Sequence, residues 1–471
     1  MRHISRRDFL EATATFSAAA ALSPFDAWAR GPSGRHADFD VAIVGAGSAG
    51  ISAARTLTGT GRTFVVLEAR DHIGGRCHCD NTSFPGIAFD LGGQWFIQVS
   101  PATGGPPGRT NNPLYDLAVR MGYKPTKDNN PRLMYAPGQP PVSILDTPVI
   151  DTFVEMAVST FAAGFVASLD PSLDQSIAVA TASEAGDPFY DFNAGFLATE
   201  NGGSIERMGC LDVFNLAPSG GEPLNVPSET NYLLESGYGN FLATFAAGMP
   251  IRLNTPVTRI TWGRAGVALA TAAGTVTARA AIVTIPVGTL ASGLVTFSPA
   301  LPPAYQDALG QLPMGYDTKI GLLFDSDVFD VPQPNTFAFR FVDQKLVPLL
   351  QSKAWGKNYA VFIIGGPIVP ELEARGELLD YVLAEVNAIF PRATRARLVT
   401  AVSSGWNSDP YSLGSFSYAV PGGASARVTL GTPVANRLFF AGEAVPVDTH
   451  SSVHGAWISG QTAATQALAV L

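Results

Sequence analysis

The chain has 471 residues, of which 46% are hydrophobic and 15% are charged. This length and apolar content are sufficient to bury a large core in two or three domains, which excludes an intrinsically disordered protein. The net charge of −9 and the absence of Lys/Arg runs beyond the N-terminus argue against a nucleic-acid-binding surface.

Residues 1–29 have the pattern of an export signal and are set apart from the fold. Two adjacent arginines, Arg6 and Arg7, precede Phe9 and Leu10, and an Ala-rich apolar run then ends at a small-x-small cleavage site. This pattern resembles a twin-arginine signal, so we expect a periplasmic or secreted protein. The alternative is an ordinary amphipathic N-terminal helix. Elsewhere the sequence has no run that approaches the roughly 18 apolar residues of a membrane span.

A predicted strand, a glycine-rich turn and a helix follow. Val41–Val44 predict a short buried strand, and Gly45, Gly47 and Gly50 have GxGxxG spacing before the helical run Ser52–Leu57. In such a turn the first glycine permits a sharp bend, the second lets backbone N–H groups approach a pyrophosphate, and the third lets helix and strand pack closely. The phosphates would then lie at the positive end of the helix.

A second predicted strand, Thr63–Leu67, ends at Glu68, where a carboxylate can accept hydrogen bonds from both hydroxyls of an adenosine ribose. These features predict a bound dinucleotide, and the motif alone does not distinguish FAD from NAD. The glycine pairs at 74–75 and 92–93 have polar or aromatic neighbours and would let the backbone approach a flat, phosphorylated ligand. Taken alone, the two pairs would favour β-turns.

Residues 99–231 differ from what precedes them, because Pro, Gly and Asn clusters alternate with helical runs such as Leu114–Met121 and Ile150–Leu169. Strand patterns return at Tyr232, and their spacing favours a meander attached to the nucleotide sheet. The predicted strands are Ile251–Leu253, Val257–Trp262, Val267–Ala272, Thr275–Ala278 and Ala281–Ile285.

Residues 304–400 mix a predicted helix, Glu371–Ile389, with strands such as Thr318–Phe324 and Tyr359–Ile364. The chain then ends in a strand, Leu438–Ala441, and a helix, Gly455–Leu468. A strand that leads through glycine into a helix repeats the first motif, so we expect both ends of the chain to meet one ligand.

Together these motifs resemble those of the flavin-containing amine oxidase family, which includes monoamine oxidases, polyamine oxidases, lysine-specific histone demethylases and L-amino-acid oxidases. The strongest matches are IVGAGSAG (43–50), LEARDHIGGR (67–76), LNTPVTRI (253–260), VTIPVGTL (283–290), FFAGE (439–443) and VHGAWISGQTAA (453–464). The resemblance implies an α/β fold in which a Rossmann-type FAD-binding domain is interleaved with an α+β substrate-binding domain. The FAD-binding domain would comprise 38–98, 232–297 and 406–471, and the substrate-binding domain 99–231 and 298–405.

The resemblance also implies the cofactor, which is FAD, and the residues that bind it. The glycines of the first motif would hold the pyrophosphate, while Glu68 would bind the ribose and Val257 the adenine side. Arg76 would contact the phosphate and flavin region, and Glu443 the ribityl chain. The full implied set of cofactor-binding residues is Gly45, Gly47, Ser48, Ala49, Gly50, Glu68, Ala69, Arg70, Gly75, Arg76, Gly92, Gly93, Gln94, Trp95, Val257, Gly442, Glu443, Ser452 and Val453.

Three residues, Lys319, Trp406 and Phe416, are implied as catalytic. Lys319 matches the lysine that hydrogen-bonds through water to flavin N5; the alternative is an exposed lysine on a strand face. Trp406 belongs to a segment near the flavin. Ser415 stands where monoamine oxidases have the cysteine that bonds to the flavin, so the resemblance implies non-covalent FAD. Phe416 and Ser452 fall where monoamine oxidases have two aromatic residues around the amine, so half of that cage is missing.

The implied reaction is oxidation of an amine C–N bond by hydride transfer to flavin N5, with hydrolysis of the resulting imine and reoxidation by oxygen. Such a site must present a neutral amine near N5 in an apolar cavity. Amino-acid oxidases have an arginine shortly after the position of Arg76, and residues 77–87 contain none, so L-amino acids are a less favoured class. His450 and His454 are interpreted as structural.

The expected partners are therefore a small-molecule amine and oxygen or another electron acceptor. Three alternatives stay open. A dehydrogenase would use an acceptor other than oxygen, and a flavin desaturase or related oxidase would act on C–C bonds, against which Lys319 argues. A non-catalytic relative would keep the fold as a binding module, against which the apparently intact set of FAD-binding residues argues. The lobe 99–231 has no motif that identifies the amine.

Overall fold

The structure is a computed structural model that describes residues 37–102, 109–149, 170, 172, 188–215, 231–341 and 347–471. The export pattern at 1–29 and the predicted helix Ile150–Leu169 lie outside these ranges.

The strands of the described ranges are β1 (Phe39–Val44), β2 (Phe64–Leu67), β3 (Cys79–Asp80), β4 (Phe89–Asp90), β5 (Trp95–Phe96), β6 (Thr126–Lys127), β7 (Arg132–Tyr135), β8 (Val142–Ser143), β9 (Tyr232–Leu233), β10 (Ile251–Arg252), β11 (Val257–Gly263), β12 (Gly266–Thr271), β13 (Gly274–Val283), β14 (Thr296–Ser298), β15 (Asp317–Phe324), β16 (Thr336–Arg340), β17 (Leu349–Ser352), β18 (Tyr359–Gly365), β19 (Leu398–Ser403) and β20 (Leu438–Phe440).

The α-helices of the same ranges are α1 (Ser48–Leu57), α2 (Pro113–Arg120), α3 (Pro188–Glu200), α4 (Cys210–Asn215), α5 (Tyr238–Ala243), α6 (Val287–Ala291), α7 (Pro303–Gln311), α8 (Ile368–Arg375), α9 (Leu378–Ile389), α10 (Ala426–Gly431) and α11 (Val453–Leu468). Short 3₁₀ turns occur at Ile144–Asp146, Thr244–Ala246, Ala354–Gly356 and Arg395–Arg397.

The first large sheet has the strand order β10-β2-β1-β13-β12-β11-β14, and β20 also pairs with β13. Its centre is parallel, since β1 runs parallel to both β2 and β13, while β11, β12 and β13 form an antiparallel meander. Both faces of β1 are covered, as is usual for parallel strands. Val41 and Ile43 pack with α1 and α11, and Ala42 and Val44 pack on the opposite face. The predicted meander and its attachment to the nucleotide sheet are confirmed.

The second large sheet has the order β19-β15-β18-β17-β16-β7-β8. It is antiparallel except where β7 runs parallel to β16. One face, which includes Ile320 and Leu322, packs against α8 and α9. The opposite face, which includes Phe337 and Phe339, packs against Phe192 of α3 and Phe89 of β4. This mixed architecture agrees with the predicted α/β fold class with two interleaved parts; the domain boundaries stay a prediction.

One predicted pair of strands is a single strand. Thr275–Ala278 and Ala281–Ile285 were expected to be separate, but β13 runs without a break from Gly274 to Val283. Ala278 pairs with β12 on one side and with β1 on the other, so the strand passes directly from the meander into the parallel part of the sheet. The prediction of a break was wrong because no backbone feature interrupts these pairings.

One predicted helix is two helices. The range Glu371–Ile389 was expected to be continuous, but α8 ends at Arg375 and α9 begins at Leu378. Gly376 between them has φ +69°, a left-handed conformation that terminates α8 and that glycine adopts at little cost. Gly376, a single glycine within a helical sequence pattern, therefore marks the C-terminal end of α8.

Candidate active site

A cavity of about 1040 Å³ is lined by residues of both large sheets. It extends from Val257 on β11 in the first sheet to Phe337 and Ile363 in the second. Pockets for small ligands commonly have volumes of about 300–1000 Å³, so this cavity lies at the upper end of that range.

The predicted site residues converge on this cavity. Lys319, Trp406, Phe416 and every predicted cofactor-binding residue except Gly50 line it. Gly50 lies in the first turn of α1, where an added Cβ would overlap the carbonyl oxygen of Gly45. The lack of a side chain on Gly50 allows α1 to pack closely on the preceding turn, and the predicted contact of Gly50 with the ligand stays a prediction.

The turn after β1 presents the start of α1 to the cavity. Gly45 has φ +106°, and an added Cβ would lie 2.5 Å from Thr284 Oγ1. Gly47 is the N-cap of α1 and has no side chain, and Ser48 and Ala49 after it also line the cavity. The N–H groups of a first helical turn and the helix dipole favour an anion, so this turn can hold a phosphate.

Glu68 follows β2 at the cavity and is only 3% exposed. Its carboxylate accepts hydrogen bonds from Ala46 N at 2.6 Å and from Arg70 N at 2.9 Å. Each carboxylate oxygen has a further lone pair, so Glu68 can hold the glycine-rich turn and still accept from ribose hydroxyls. Arg70 in turn donates to Asp409 at 2.8 Å, which connects this loop to the segment of Trp406.

Arg76 and Glu443 form an ion pair at the cavity wall. Arg76 Nη1 lies 3.0 Å from Glu443 Oε1 and donates to the carbonyl of Ser415 at 2.8 Å. Glu443 also accepts from Ser417 Oγ at 2.8 Å. Burial alone would raise the pKa of Glu443, but Arg76 and Arg427 hold it below its ordinary value. Glu443 is therefore a carboxylate whose charge is already balanced by the protein.

Lys319 projects from β15 into the centre of the cavity wall and is 6% exposed. Its Nζ donates to Gly92 O and to Gln94 Oε1, both at 2.5 Å, and lies 4.9 Å from the centroid of the Trp95 ring. Burial lowers the pKa of Lys319 to about 8, although Asp90 and Asp317 act in the opposite direction. The surface-lysine alternative is excluded by this placement.

The glycines at 92 and 93 are required by protein packing. A Cβ on Gly92 would overlap Arg76 O, and one on Gly93 would overlap Val453 Cγ2 at the start of α11. Trp406 donates from Nε1 to Leu91 O at 3.0 Å, so its ring lies against the same loop. Because Gly92 and Gly93 have no side chains, Arg76 O and the start of α11 can pack directly against this loop, and the backbone of the loop faces the cavity.

The residues predicted to face the flavin lie on two adjoining segments. Ser415 Oγ donates to Gly315 O at 3.0 Å, and Phe416 beside it lines the cavity. Ser452 is the N-cap of α11, where its hydroxyl accepts from Gly455 N at 2.9 Å. Because Ser452 caps a helix, a second helix N-terminus opens on the cavity. An aromatic cage cannot be completed from this position.

These features fit FAD, the cofactor that the resemblance implies. Two helix N-termini, Glu68 and a buried lysine face one elongated cavity, which matches a pyrophosphate, a ribose and the N5 side of a flavin. Gly442 has φ +138° and also lines the cavity, and a Cβ there would meet no described atom within 4 Å. A side chain at this position would therefore project into the open volume.

Sequence reasoning missed the part of the cavity beyond Lys319. Its walls are apolar and largely aromatic, and they carry several charged groups. The apolar residues are Phe192, Phe196, Leu197, Phe337, Phe339, Leu349 and Ile363. The charged residues are Asp128, Arg132, Glu200 and Asp317. We call this part the aromatic chamber.

The charged groups of the aromatic chamber differ in how they are held. Arg132 lies 3.5 Å from Asp128 and 5.1 Å above the Phe337 ring. Asp128 also accepts from Trp95 Nε1 at 3.0 Å. The pKa of Asp317 is raised to about 7, chiefly by burial; Lys319 acts in the opposite direction, and nearby Glu200 adds to the rise. A signal for Asp317 was available, because residues two apart on a strand share a face and Asp317 precedes Lys319 by two.

The two histidines of the C-terminal motif are buried. His450 lines the cavity, and its Nε2 donates to Asp212 O at 3.0 Å. Burial lowers the pKa of both His450 and His454 to about 4, so both are neutral near pH 7. These surroundings agree with the structural roles predicted for them.

A family model described as flavin containing amine oxidoreductase matches residues 48–468. The chain belongs to the flavin-containing amine oxidoreductase family. It is accordingly an enzyme that uses a flavin cofactor to oxidise amines, as the motifs indicated.

Relatives of this amine oxidoreductase are known from plants. Polyamine oxidase 4 of Oryza sativa subsp. japonica is 29% identical over 461 residues, which cover 90% of this chain and 88% of the relative. Probable polyamine oxidase 4 of Arabidopsis thaliana is 28% identical over 455 residues, with 90% and 86% covered. The fold is shared with wild-type putrescine oxidase bound to putrescine, at a TM-score of 0.74 and 20% identity, over 92% of this chain and 99% of that one.

Searches of the described residues for other site types give two results. In these ranges of the amine oxidoreductase, no set of three or more His, Cys, Asp or Glu side chains is arranged to bind a metal ion. None of the helices described has both the length and the apolar character needed to cross a membrane.

Proposed function

We propose that this protein is an oxidase that binds FAD non-covalently and acts on an amine with a second cationic group. The observation that carries the proposal is the position of Lys319. Its Nζ is held by Gly92 O and Gln94 Oε1 at 2.5 Å, where the dinucleotide-binding loops meet the aromatic chamber. When bound, FAD would accept a hydride equivalent from the amine carbon at N5 and would be reoxidised by oxygen.

The aromatic chamber would prepare the reacting amine. Its apolar walls disfavour a charged amine, so they favour the neutral form that can release a hydride. Holding the amine carbon against the flavin-binding loops would make the transfer effectively unimolecular. Two N–H donors of the Lys319 ammonium are used by Gly92 and Gln94, so one remains for a water or for oxygen.

The proposed substrate class follows from the charges of the chamber. Glu200 and Asp317 both line it, and two acidic side chains beside apolar walls would attract and hold a distal ammonium group. Relatives named as polyamine oxidases and a structural neighbour named as a putrescine oxidase support the same class. We therefore favour diamines or polyamines over monoamines.

An anaerobic screen tests this function. Purified holoenzyme is mixed without oxygen with putrescine, spermidine, benzylamine and several L-amino acids, and the flavin absorbance is followed. We expect diamines or polyamines to bleach it fastest and air to restore it. Failure of every amine to bleach the flavin, or bleaching by amino acids alone, would contradict the proposal. Recovery with an artificial acceptor but not with air would indicate a dehydrogenase.

We also propose that residues 1–29 direct export by the twin-arginine route, on the pattern around Arg6 and Arg7. The test fuses residues 1–36 to a reporter that folds before export. We expect the reporter in the periplasm, and we expect it in the cytoplasm when both arginines are replaced by lysine. Export of the double-lysine variant would overturn the proposal.

A further inference from the structure

Three buried amide side chains connect Lys319 to a distant turn. Lys319 Nζ donates to Gln94 Oε1 at 2.5 Å, and Gln94 Nε2 donates to Gln351 Oε1 at 3.3 Å. Gln351 Nε2 donates to Asn335 Oδ1 at 3.2 Å, and this oxygen also accepts from the backbone N–H of Trp355 at 2.9 Å. Gln94, Gln351 and Asn335 are 6%, 2% and 8% exposed, so water competes little for these bonds.

The two ends of this chain determine the orientation of every amide in it. The Trp355 N–H can only donate, so it requires the oxygen of Asn335. The nitrogen of Gln351 must then face Asn335, which directs the Gln351 oxygen to the nitrogen of Gln94. The oxygen of Gln94 is thereby left to face Lys319, whose ammonium also can only donate. Reversal of any one amide would place two donors or two acceptors in contact.

The turn that supplies the Trp355 N–H is itself rigidly shaped. Lys353 and Trp355 have φ values of +50° and +55°, and Gly356 N donates to Lys353 O at 2.9 Å. Asn335 also has a positive φ, +60°, and its backbone N–H donates to Lys353 O at 3.3 Å. The backbone N–H of Trp355 is thus held at a defined position in the turn that follows β17.

We propose that Gln351 and Asn335 are positioning residues for the oxidase site, which act through Gln94 to keep its oxygen on Lys319. Neither residue lines the cavity, so their effect on the reaction would be transmitted along the amide chain. This inference rests on the proposed function of Lys319 beside the flavin. The chain would fix the direction of Nζ and favour its protonated form.

The other titratable groups near Lys319 remain unchanged when the amide chain is altered. Asp90, Asp317, Cys77 and Glu200 all act on its protonation. Loss of the Gln351 acceptor would free Gln94 to turn its NH₂ group toward the ammonium, which disfavours the charged form. A carboxylate at position 351 would keep the acceptor for Gln94 and add a negative charge. It would lose the donor to Asn335 Oδ1, so this variant keeps only the part of the amide chain next to Lys319. The two substitutions should therefore act in opposite directions.

The test compares Gln351→Met and Gln351→Glu with the wild-type holoenzyme. Gln306→Met serves as the control, because Gln306 is an amide that donates to Leu301 O and does not line the cavity. The flavin absorbance is titrated with pH in the absence of substrate, and the rate constant of reoxidation by oxygen is measured over the same range. Thermal unfolding of each variant reports whether it is folded.

We expect a wild-type transition near pH 8, since burial sets the pKa of Lys319 to about 8. Gln351→Met should lower this midpoint by about 1 pH unit, which corresponds to the loss of one hydrogen bond to a charged group. Gln351→Glu should raise it, and Gln306→Met should leave it unchanged. Equal midpoints in the wild type, Gln351→Met and Gln351→Glu would overturn the proposal. A shift of the midpoint in the same direction in both variants would overturn it too.

The outcome separates this inference from the proposed function. Protein that binds no flavin, or flavin that no amine reduces, would contradict the oxidase assignment itself. Coloured, reducible enzyme in which Gln351→Met titrates like the wild type would overturn the amide chain alone. If Gln351→Met fails to fold, Asn335→Leu and Asn335→Asp replace the pair. Only the aspartate keeps an oxygen acceptor for both Gln351 and Trp355, and it adds a negative charge, so Asn335→Leu should lower the midpoint and Asn335→Asp should not.

Discussion

The role proposed for Lys319 depends on one buried cation at the cavity wall. Its two oxygen partners and the Trp95 ring hold the Nζ at the cavity wall, while burial lowers its pKa to about 8. A fixed positive charge in a site of low dielectric stabilises negative charge that develops nearby much more strongly than water does. In the proposed reaction, reduction of oxygen by the flavin would create negative charge of this kind.

Replacement of Lys319 by Met should slow reoxidation of the reduced flavin on the order of 10²-fold, because the fixed cation is lost. In the wild type we expect this rate to fall as pH rises through about 8, where the ammonium loses its proton. The variant should show no such fall. Stopped-flow mixing of reduced enzyme with oxygen measures both, and Lys357→Met, at a partly exposed lysine, is the control. If the reoxidation rate and its pH dependence are the same in Lys319→Met as in the wild type, Lys319 has a purely structural role.

The residue type at Ser415 bears on whether the cofactor can be bound covalently. Its hydroxyl donates to Gly315 O, and a serine cannot form the thioether that a cysteine makes with a flavin. Acid precipitation of the purified protein should therefore leave the yellow cofactor in the supernatant. The absorbance of supernatant and pellet after centrifugation measures this. Flavin retained in the pellet would contradict non-covalent binding.

Residue types with a motif were predictable from the sequence, and those without one were not. Gly45, Glu68 and Lys319 could be identified because each lies in a segment with characteristic neighbours. Glu200 lies in a helix that carries no motif, and Gln351 is an ordinary polar residue on a strand. The roles proposed for them arise from contacts between segments far apart in the chain, which no local pattern specifies.

Close packing between elements explains several of the glycines. A Cβ on Gly460 of α11 would overlap the carbonyl of Ala49 on α1, and one on Gly50 would overlap Gly45 O. The helix that presents its N-terminus to the cavity is therefore confined by glycines on both sides. Small displacements of α1 would move the phosphate-binding N–H groups.

Gly50→Ala should destabilise the protein by about 1–3 kcal/mol through overpacking and should weaken FAD binding as α1 moves. Gly310→Ala is the matched control, since Gly310 lies in α7 and its Cβ would meet no described atom within 4 Å. Urea unfolding of both variants, together with FAD titration by fluorescence, measures the two effects. Equal stabilities and equal FAD affinities for the two variants would show that α1 can shift to make room for a side chain at position 50 without loss of stability or binding.

The C-terminal end of α3 places Glu200 in the aromatic chamber. If it holds the distal ammonium of the substrate, Glu200→Gln should raise the KM for putrescine about tenfold and change kcat much less, because binding rather than chemistry is affected. Glu206→Gln, at an exposed carboxylate after the same helix, is the control. A KM unchanged by Glu200→Gln, with putrescine still a substrate, would remove Glu200 from substrate recognition.

Elements with strong periodicity were predicted better than their boundaries. The strands β1, β2 and β15 and the helix α11 were all expected within a few residues of their observed limits. The errors occurred at β13 and at the α8–α9 junction, where the tertiary pairing of Ala278 and the left-handed Gly376 decided the outcome. Both depend on backbone geometry, which residue hydropathy describes poorly.

At the scale of the whole molecule, the cavity joins two sheets of different character. The parallel part of the first sheet leads into a glycine-rich turn that favours phosphate, and the mostly antiparallel second sheet supplies an apolar wall that carries Asp317. Segments from the first and the last parts of the chain meet there, since β1 and β20 both pair with β13. Occupation of the cavity should therefore stabilise both sheets together.

The most direct test of the account is to measure FAD binding and its reduction in one sample. Protein lacking residues 1–29 is stripped of cofactor, incubated with FAD, separated from the excess and mixed anaerobically with putrescine or spermidine. We predict one FAD per chain, a rise in Tm on binding, and loss of the flavin absorbance on addition of the amine. Protein that stays colourless after incubation with FAD, and whose Tm does not change, would contradict the account.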